Sequence, residues 1–143
     1  MKSSIHLFEE QTSQLLAHAE TQLPQEAVAL LFGTFSDDHT LVQHIELLPN
    51  DSTNNQTSFS VDPEIQYKLL MAADERGETM VGIFHTHPAP PRPSSSDIKN
   101  MKLNPVVWLV ASKTTGEWIV RAYVLEKDTP VEIPIKIFTG STD

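Results

Sequence analysis

The sequence predicts an α/β fold of mixed α+β type, in which helices pack on one mixed β-sheet. Three observations support this prediction. Short apolar runs bounded by turn residues recur along the chain, at least two segments carry apolar residues at helical spacing, and turn signals between neighbouring strands indicate antiparallel hairpins. The 143 residues contain no internal repeat and no shift in composition. We therefore predict a single domain over 1–143.

The first half of the chain begins with a helix and a buried hairpin. Residues 7–23 carry apolar side chains at helical spacing, and Pro24 ends the predicted helix. Residues 27–32 form a continuous apolar run closed by Gly33, which is typical of a strand buried on both faces. Residues 40–48 are predicted to be its hairpin partner.

A second helix is predicted after a polar loop over 49–57 and a short strand over 58–61. Asp62 is a preferred N-cap, and Pro63 fits the first helical position. Gly77 is the expected stop. The inward-facing stripe is predicted to consist of Ile65, Leu69, Ala72 and Ala73.

A proline-rich loop divides the next elements. Residues 79–87 are predicted to be a strand. Residues 88–93 contain four prolines, which makes them a stiff extended loop. A short helix over 94–103 and two strands over 106–111 and 117–125 follow.

The chain is predicted to finish with a strand over 131–138. Pro130 and Pro134 cannot donate to a strand ladder, which indicates that this strand lies at a sheet edge. We assign 126–143 to this C-terminal edge strand and a tail.

Composition excludes several classes of function. Ten basic residues against nineteen acidic ones give a net charge of −9, which does not favour nucleic acid as a partner. The absence of cysteine excludes a disulfide scaffold, a thiolate zinc site and a cysteine nucleophile. No apolar run approaches the ~20 residues of a membrane span, and the N-terminus lacks the apolar core of a signal peptide. We expect a cytoplasmic protein without a membrane partner.

The first candidate site lies at the end of the predicted strand, in His85-Thr86-His87-Pro88. Alternate residues of a strand face the same side. His85 and His87 therefore project from one face, and Thr86 points away. Pro88 ends strand pairing, which places both imidazoles at a sheet margin where they can converge on one small cation.

Ser94 and Asp97 form a second motif across the proline-rich loop. If Ser94 is the N-cap, Asp97 lies in the first turn of the short helix, where the helix dipole favours a carboxylate. The stiff loop would hold this carboxylate near the two histidines.

Each motif alone also has a purely structural explanation. A His-x-His pair often decorates an edge strand, and Ser-x-x-Asp resembles a capping box. Their combination favours a metal site instead, because two histidines, one aspartate and one open position are the layout of a catalytic zinc. Zinc is the first choice of metal, and iron and manganese remain alternatives.

Glu26 stands immediately before the apolar run 27–32. A carboxylate there is either solvated at the end of the sheet or used in function, and the residues alone leave both interpretations open. In the functional interpretation, Glu26 acts as a general base towards a metal-bound water, whose pKa zinc lowers from about 15.7 to about 7. It would later deliver the proton to a leaving amine.

Taken together, these motifs resemble the JAMM (MPN+/Mov34) family of zinc metalloproteases in its compact prokaryotic form. The family signature is an upstream glutamate, then His-x-His, then Ser-x-x-Asp. The resemblance covers about residues 5–125. The segments that carry it are 24–33, 59–64, 81–88 and 93–97, which are similar to the family's P-x-E-x-x-G-x-L-x-G, its strand-to-helix junction, V-G-x-x-H-[ST]-H-P and P-S-x-x-D.

Two positions depart from the family pattern. Ala29 replaces a glycine, and the loop between His87 and Ser94 has six residues where the pattern has seven. Shifting the motif by one residue would require an acid at Ile98, so Ser94 and Asp97 remain the matched pair.

The resemblance implies a curved mixed sheet flanked by helices, with cytidine-deaminase-like layering and one Zn²⁺ per chain. By the same resemblance, Ser94 donates a hydrogen bond to the oxyanion of the tetrahedral intermediate. Glu26 is the implied general acid/base, and the implied zinc ligands are His85, His87 and Asp97.

The function implied by the resemblance is hydrolysis of amide or isopeptide bonds after the C-terminal tail of ubiquitin-like proteins, by a water that the zinc activates. Such tails often end in Gly-Gly, which can enter a narrow channel, and the polar segment 49–59 is a candidate docking surface. One alternative is a non-catalytic MPN scaffold, a class that lacks the metal set. A weaker alternative is a metal-dependent hydrolase or small-ligand binder for an unrelated substrate.

Overall fold

The computed structural model describes residues 4–50, 52 and 60–140. This part of the chain contains three helices and one eight-stranded sheet. The helices are α1 (Glu9–Gln22), α2 (Pro63–Glu75) and α3 (Ser95–Leu103). The strands are β1 (Ile5–Phe8), β2 (Val28–Phe35), β3 (Thr40–Leu48), β4 (Thr79–His87), β5 (Val107–Ser112), β6 (Ile119–Glu126), β7 (Thr129–Ile133) and β8 (Ile135–Phe138).

The sheet is mixed and curled. Its strand order is β7-β6-β5-β4-β2-β3-β1-β8, with parallel pairing of β4 with β5 and of β1 with β3 and β8. The two edge strands, β7 and β8, are separated in sequence by Pro134 alone. The sheet therefore bends until its edges approach each other, and the Ile5 N–H donates to the Pro134 carbonyl at 3.0 Å. The predicted curved mixed sheet is confirmed.

The C-terminal segment differs from its prediction. A single strand over 131–138 is wrong, because the chain divides at Pro134 into β7, which pairs with β6, and β8, which pairs with β1. Proline cannot continue a ladder as a donor, and Pro134 instead accepts from β1. The predicted edge position is correct for both strands.

The N-terminal strand β1 was missed, and α1 begins at Glu9 rather than at residue 7. Ile5 and Leu7 are buried at alternate positions, as expected for a strand. Four residues carry little periodic signal, and both partners of β1 come from distant parts of the chain.

The buried hairpin is confirmed, with one change. Strand β2 is buried on both faces as predicted, but it continues through Gly33 to Phe35. The register with β3 shifts between Phe32 and Gly33, and a Cβ at position 33 would collide with the Leu41 carbonyl. The glycine therefore permits a close backbone approach at a bulge and does not end the strand.

Helix α2 has the predicted ends but not the predicted buried stripe. Asp62 Oδ1 accepts from the Glu64 N–H at 2.9 Å, and Gly77 adopts φ +76° after the last turn. Only part of the stripe faces inward: Ala73 is buried and Leu69 half-buried, but Ile65 and Ala72 are exposed. Of the short strand predicted before it, residues 58 and 59 lie outside the described residues, and 60 and 61 are irregular.

Two apolar clusters cover the two faces of the sheet. Leu15 and Ala19 attach α1 to one face, and Ala73 and Met101 attach α2 and α3 to the other. This helix–sheet–helix arrangement confirms the predicted layering. No helix in the described ranges is long and apolar enough to cross a membrane. The single domain over 1–143 stays a prediction.

Candidate metal centre

The two histidines lie at the C-terminal end of β4, on the face that α3 covers. Phe84 belongs to the α1-side cluster and Ile83 to the opposite one, so His85 and His87 alternate onto the α3 side. Their rings lie 4.7 Å apart at 71°, and His85 makes an edge contact of 5.7 Å with the buried Trp108 ring. His85 has no exposed surface. The predicted convergence of the two imidazoles is therefore present.

Asp97 enters this site from the first turn of α3. Its Oδ2 atom lies 2.7 Å from His87 Nε2 and 3.6 Å from His85 Nε2. A capping box fixes the carboxylate, because the Ser94 N–H donates to Asp97 Oδ2 at 2.9 Å and the Asp97 N–H donates to Ser94 Oγ at 3.1 Å. Asp97 is thus both a helix-capping residue and a member of the candidate ligand set.

The shortened loop does not prevent this convergence. It carries the chain from His87 to Ser94 with the spacing between Ser94 and Asp97 intact. The Tyr123 hydroxyl donates to the Pro91 carbonyl at 3.0 Å and ties the loop to β6. This anchor was not foreseen, because nothing in the local sequence links residue 123 to the loop.

The donor set fits a divalent metal ion. His85, His87 and Asp97 each offer one ligand atom, and these atoms all lie within 4.8 Å of one another. Two imidazoles and one carboxylate suit zinc, and they also suit iron or manganese. A metal ion would also offset the desolvation of the buried Asp97 carboxylate.

The charges in the site favour an ionised Asp97, but they also favour the protonated form of His87, whose proton a metal ion would have to displace. Burial opposes ionisation of Asp97, but the hydrogen bond with His87 and the charge of His85 lower its pKa to about 2. Burial also disfavours the charged form of His87, yet Asp97 and Glu26 raise the pKa of His87 above its ordinary value. The Asp97 carboxylate is therefore ionised at neutral pH, as a metal ligand must be.

Glu26 reaches the same site from the neighbouring strand. Strand β2 runs antiparallel to β4 with Val28 opposite His85, so Glu26 lies beside the end of β4. Its side chain is buried, and Oε1 lies 3.8 Å from His85 Nδ1. A second carboxylate therefore stands next to the candidate ligands without belonging to the compact three-atom set.

Two residues that the sequence analysis did not identify hold Glu26 in place. The Thr86 hydroxyl accepts from the Ala27 N–H at 2.8 Å, and the Thr86 N–H donates to the Ala27 carbonyl at 3.1 Å. The Asn50 side chain donates to the Glu26 carbonyl at 3.0 Å, and its oxygen accepts from the Ser60 N–H at 3.0 Å. The alternation of side chains along β4 turns Thr86 away from the two histidines. That alternation was the sequence signal that Thr86 contacts the neighbouring backbone and is not a metal ligand.

Ser94 lies at the edge of the candidate ligand set. Its hydroxyl oxygen accepts from Asp97, which leaves the hydroxyl hydrogen able to donate. Most of the predicted docking segment 49–59 lies outside the described residues.

The family is shown by comparison with known proteins. Residues 8–125 match the family model described as prokaryotic homologues of the JAB domain. This span is most of the chain, so the protein belongs to that family. The family resemblance inferred from the motifs is confirmed.

Individual relatives extend the comparison. A desampylase from Pyrococcus furiosus is 40% identical over 86 residues, which are 59% of this chain and 59% of that protein. A probable TtuB-protein conjugate cleaving protease from Thermus thermophilus is 31% identical over 120 residues, which are 83% of this chain and 74% of that protein. The solution structure of a Desulfitobacterium hafniense protein superposes with a TM-score of 0.83 at 31% identity, covering 96% of this chain and 94% of that one.

Proposed function

We propose that this protein is a metal-dependent hydrolase that cleaves amide or isopeptide bonds after the C-terminal tail of ubiquitin-like proteins. One observation carries the proposal. His85, His87 and Asp97 place their ligand atoms within 4.8 Å of one another, and the Glu26 carboxylate lies 3.8 Å from the other nitrogen of His85. Three donors beside a separate buried acid are what hydrolysis by an activated water requires.

Zinc is the metal that we assign to the three donors. When bound, it would supply Lewis acidity, which lowers the pKa of a water from about 15.7 to about 7 and polarises a carbonyl. Asp97 contributes a negative ligand whose orientation is fixed by the cap of α3. The cytoplasmic location expected from the sequence stays a prediction.

Glu26 is the residue that we assign to proton transfer. Its carboxylate would accept the proton of the attacking water and donate it to the leaving amine, a contribution of typically 10²- to 10⁴-fold in rate. Thr86 and Asn50 both bind the peptide group that joins Glu26 to Ala27. Ser94, at the mouth of the ligand set, would donate its hydroxyl hydrogen to the developing oxyanion.

The substrate class rests on the relatives. The Pyrococcus protein is named a desampylase and the Thermus protein a probable TtuB-protein conjugate cleaving protease, and we interpret both activities as removal of a ubiquitin-like modifier from its conjugates. The Thermus protein is matched over 83% of this chain. We extend that activity to this protein because its own residues supply the Glu26 carboxylate, the capping box that orients Asp97, and the three candidate metal ligands.

Cleavage of defined conjugates by the zinc-loaded protein tests the proposal. The substrates are a ubiquitin-like protein ending in Gly-Gly, fused in line to a second domain or joined to a lysine side chain. We expect the wild type to release the modifier and Glu26→Gln to lose at least 100-fold in kcat while its melting temperature stays near the wild type. Equal turnover by the two proteins would contradict the role of Glu26. A wild type that binds zinc and leaves both substrates intact would favour a metal-dependent hydrolase or small-ligand binder for an unrelated substrate, whereas a wild type without stoichiometric zinc would favour a scaffold.

A further inference from the structure

A cleft lies beside Glu26, and of the three candidate ligands only His87 lines it. Its volume is about 270 Å³, close to the lower end of ligand pockets, which begin near ~300 Å³. Glu26 and Lys113 are the charged residues of its lining. Leu23 and Pro24, from the connection between α1 and β2, line it together with Trp118, and the lining is mostly apolar.

The Trp118 wall is fixed by a small polar cluster. Glu20 on α1 accepts from the Trp118 indole N–H at 3.1 Å and from Lys113 Nζ at 2.8 and 3.0 Å. Lys113 Nζ also lies 5.9 Å from the centroid of the Trp118 ring. The indole is therefore held by a hydrogen bond and a cation–π contact, which is a preorganised surface for an apolar group.

The position of Glu26 decides which part of a substrate meets this cleft. This step rests on the proposed function. The residue that protonates a leaving amine must lie within hydrogen-bond reach of its nitrogen. Because Glu26 borders the cleft, the leaving group faces the cleft. A Gly-Gly tail has no side chain that could pack against an apolar wall. The four methylene groups of an acceptor lysine are apolar and can pack there.

We propose that this cleft binds the aliphatic side chain of the acceptor lysine, and that Trp118 is a specificity-determining residue for isopeptide bonds. Leu23 and Pro24, which line the same cleft, also contact the methylene groups. After cleavage the product is a lysine ammonium, and the Glu26 carboxylate that lines the cleft matches its charge. Lys113, the cationic residue of the lining, is paired with Glu20. The protein then prefers isopeptide-linked over linear conjugates.

A chain-length series tests the proposal by kinetics. One ubiquitin-like protein is joined to the side-chain amine of lysine, ornithine or diaminobutyrate, each blocked as the N-acetyl amide. We expect the wild type to lose about fourfold in kcat/KM for each methylene removed. Trp118→Ala should cleave the lysine conjugate more slowly, and its kcat/KM should fall less steeply as methylene groups are removed. Trp118→Phe should keep most of the wild-type dependence of kcat/KM on chain length. Phe35→Ala, an exposed aromatic at the far end of β2, is the matched control. The same length dependence in Trp118→Ala and wild type would overturn the proposal.

A binding measurement separates this proposal from the proposed function. The protein has two tryptophans, and Trp108 is an internal control because its ring is buried and its indole N–H donates to the Asn104 carbonyl at 3.1 Å. In ¹⁵N spectra, Nα-acetyl-lysine methylamide should shift the Trp118 indole resonance and leave Trp108 in place. A Gly-Gly peptide should shift neither. The cleft assignment would be refuted if the Gly-Gly peptide, and not the lysine compound, shifted the Trp118 resonance. It would also be refuted if neither compound shifted it. Both outcomes are independent of whether any conjugate is cleaved.

Discussion

Replacing Thr86 by valine tests how Glu26 is positioned. The Thr86 hydroxyl accepts from the Ala27 N–H at 2.8 Å within a buried part of the sheet. Valine keeps the β-branched shape and removes the acceptor, which leaves the Ala27 N–H buried and unsatisfied. The expected loss in free energy of unfolding is about 1–3 kcal/mol. At roughly 3 °C per kcal/mol for a chain of this length, the melting temperature should fall by about 3–9 °C.

Thr40→Val is the matched control with the opposite expected sign. Thr40 is fully buried in β3, and its hydroxyl has no hydrogen-bond partner among the described residues. Removing an unsatisfied buried hydroxyl should leave stability unchanged or raise it by about 1 kcal/mol. Urea unfolding of both variants and the wild type measures the difference. Equal shifts of the two midpoints in the same direction would refute the account of Thr86.

Three further variants probe the loop, the cap and the sheet. Tyr123→Phe removes the hydrogen bond to the Pro91 carbonyl, and kcat should fall about tenfold while zinc stoichiometry stays at one by metal analysis. Ser94→Ala removes the cap of α3, and urea unfolding should report a loss of about 1 kcal/mol together with a lower kcat. Gly82→Ala would place a Cβ 2.9 Å from both Leu31 Cδ1 and the Val107 carbonyl oxygen, and thermal unfolding should show a loss of about 1–3 kcal/mol. An unchanged melting temperature for Gly82→Ala would contradict the close packing of β4 between its neighbours.

The sequence predicted those parts of the fold that local pattern determines. The apolar run before Gly33 and the Asp62-Pro63 helix start were each visible within a few residues. Strand β1 was not, and neither was the division of 131–138 into β7 and β8, because β1 and β8 are short and pair with strands far away in sequence. The buried stripe of α2 was over-predicted, since periodicity marks apolar residues without showing how much of the helix the sheet covers.

The candidate ligand set was predictable for a related reason. His85 and His87 share one strand, and a short stiff loop limits where Asp97 can lie. The supporting contacts of Thr86, Asn50 and Tyr123 were not predictable, because each joins segments that only the folded sheet brings together. Their side chains follow no motif that local sequence could reveal.

Zinc titration of three proteins by calorimetry shows whether His85, His87 and Asp97 hold the ion while Glu26 stands beside it as an acid/base group. We predict one zinc per chain with similar affinity for the wild type and Glu26→Gln, and no specific binding for His87→Ala. Stoichiometric zinc in His87→Ala, or loss of zinc in Glu26→Gln, would contradict the assignment.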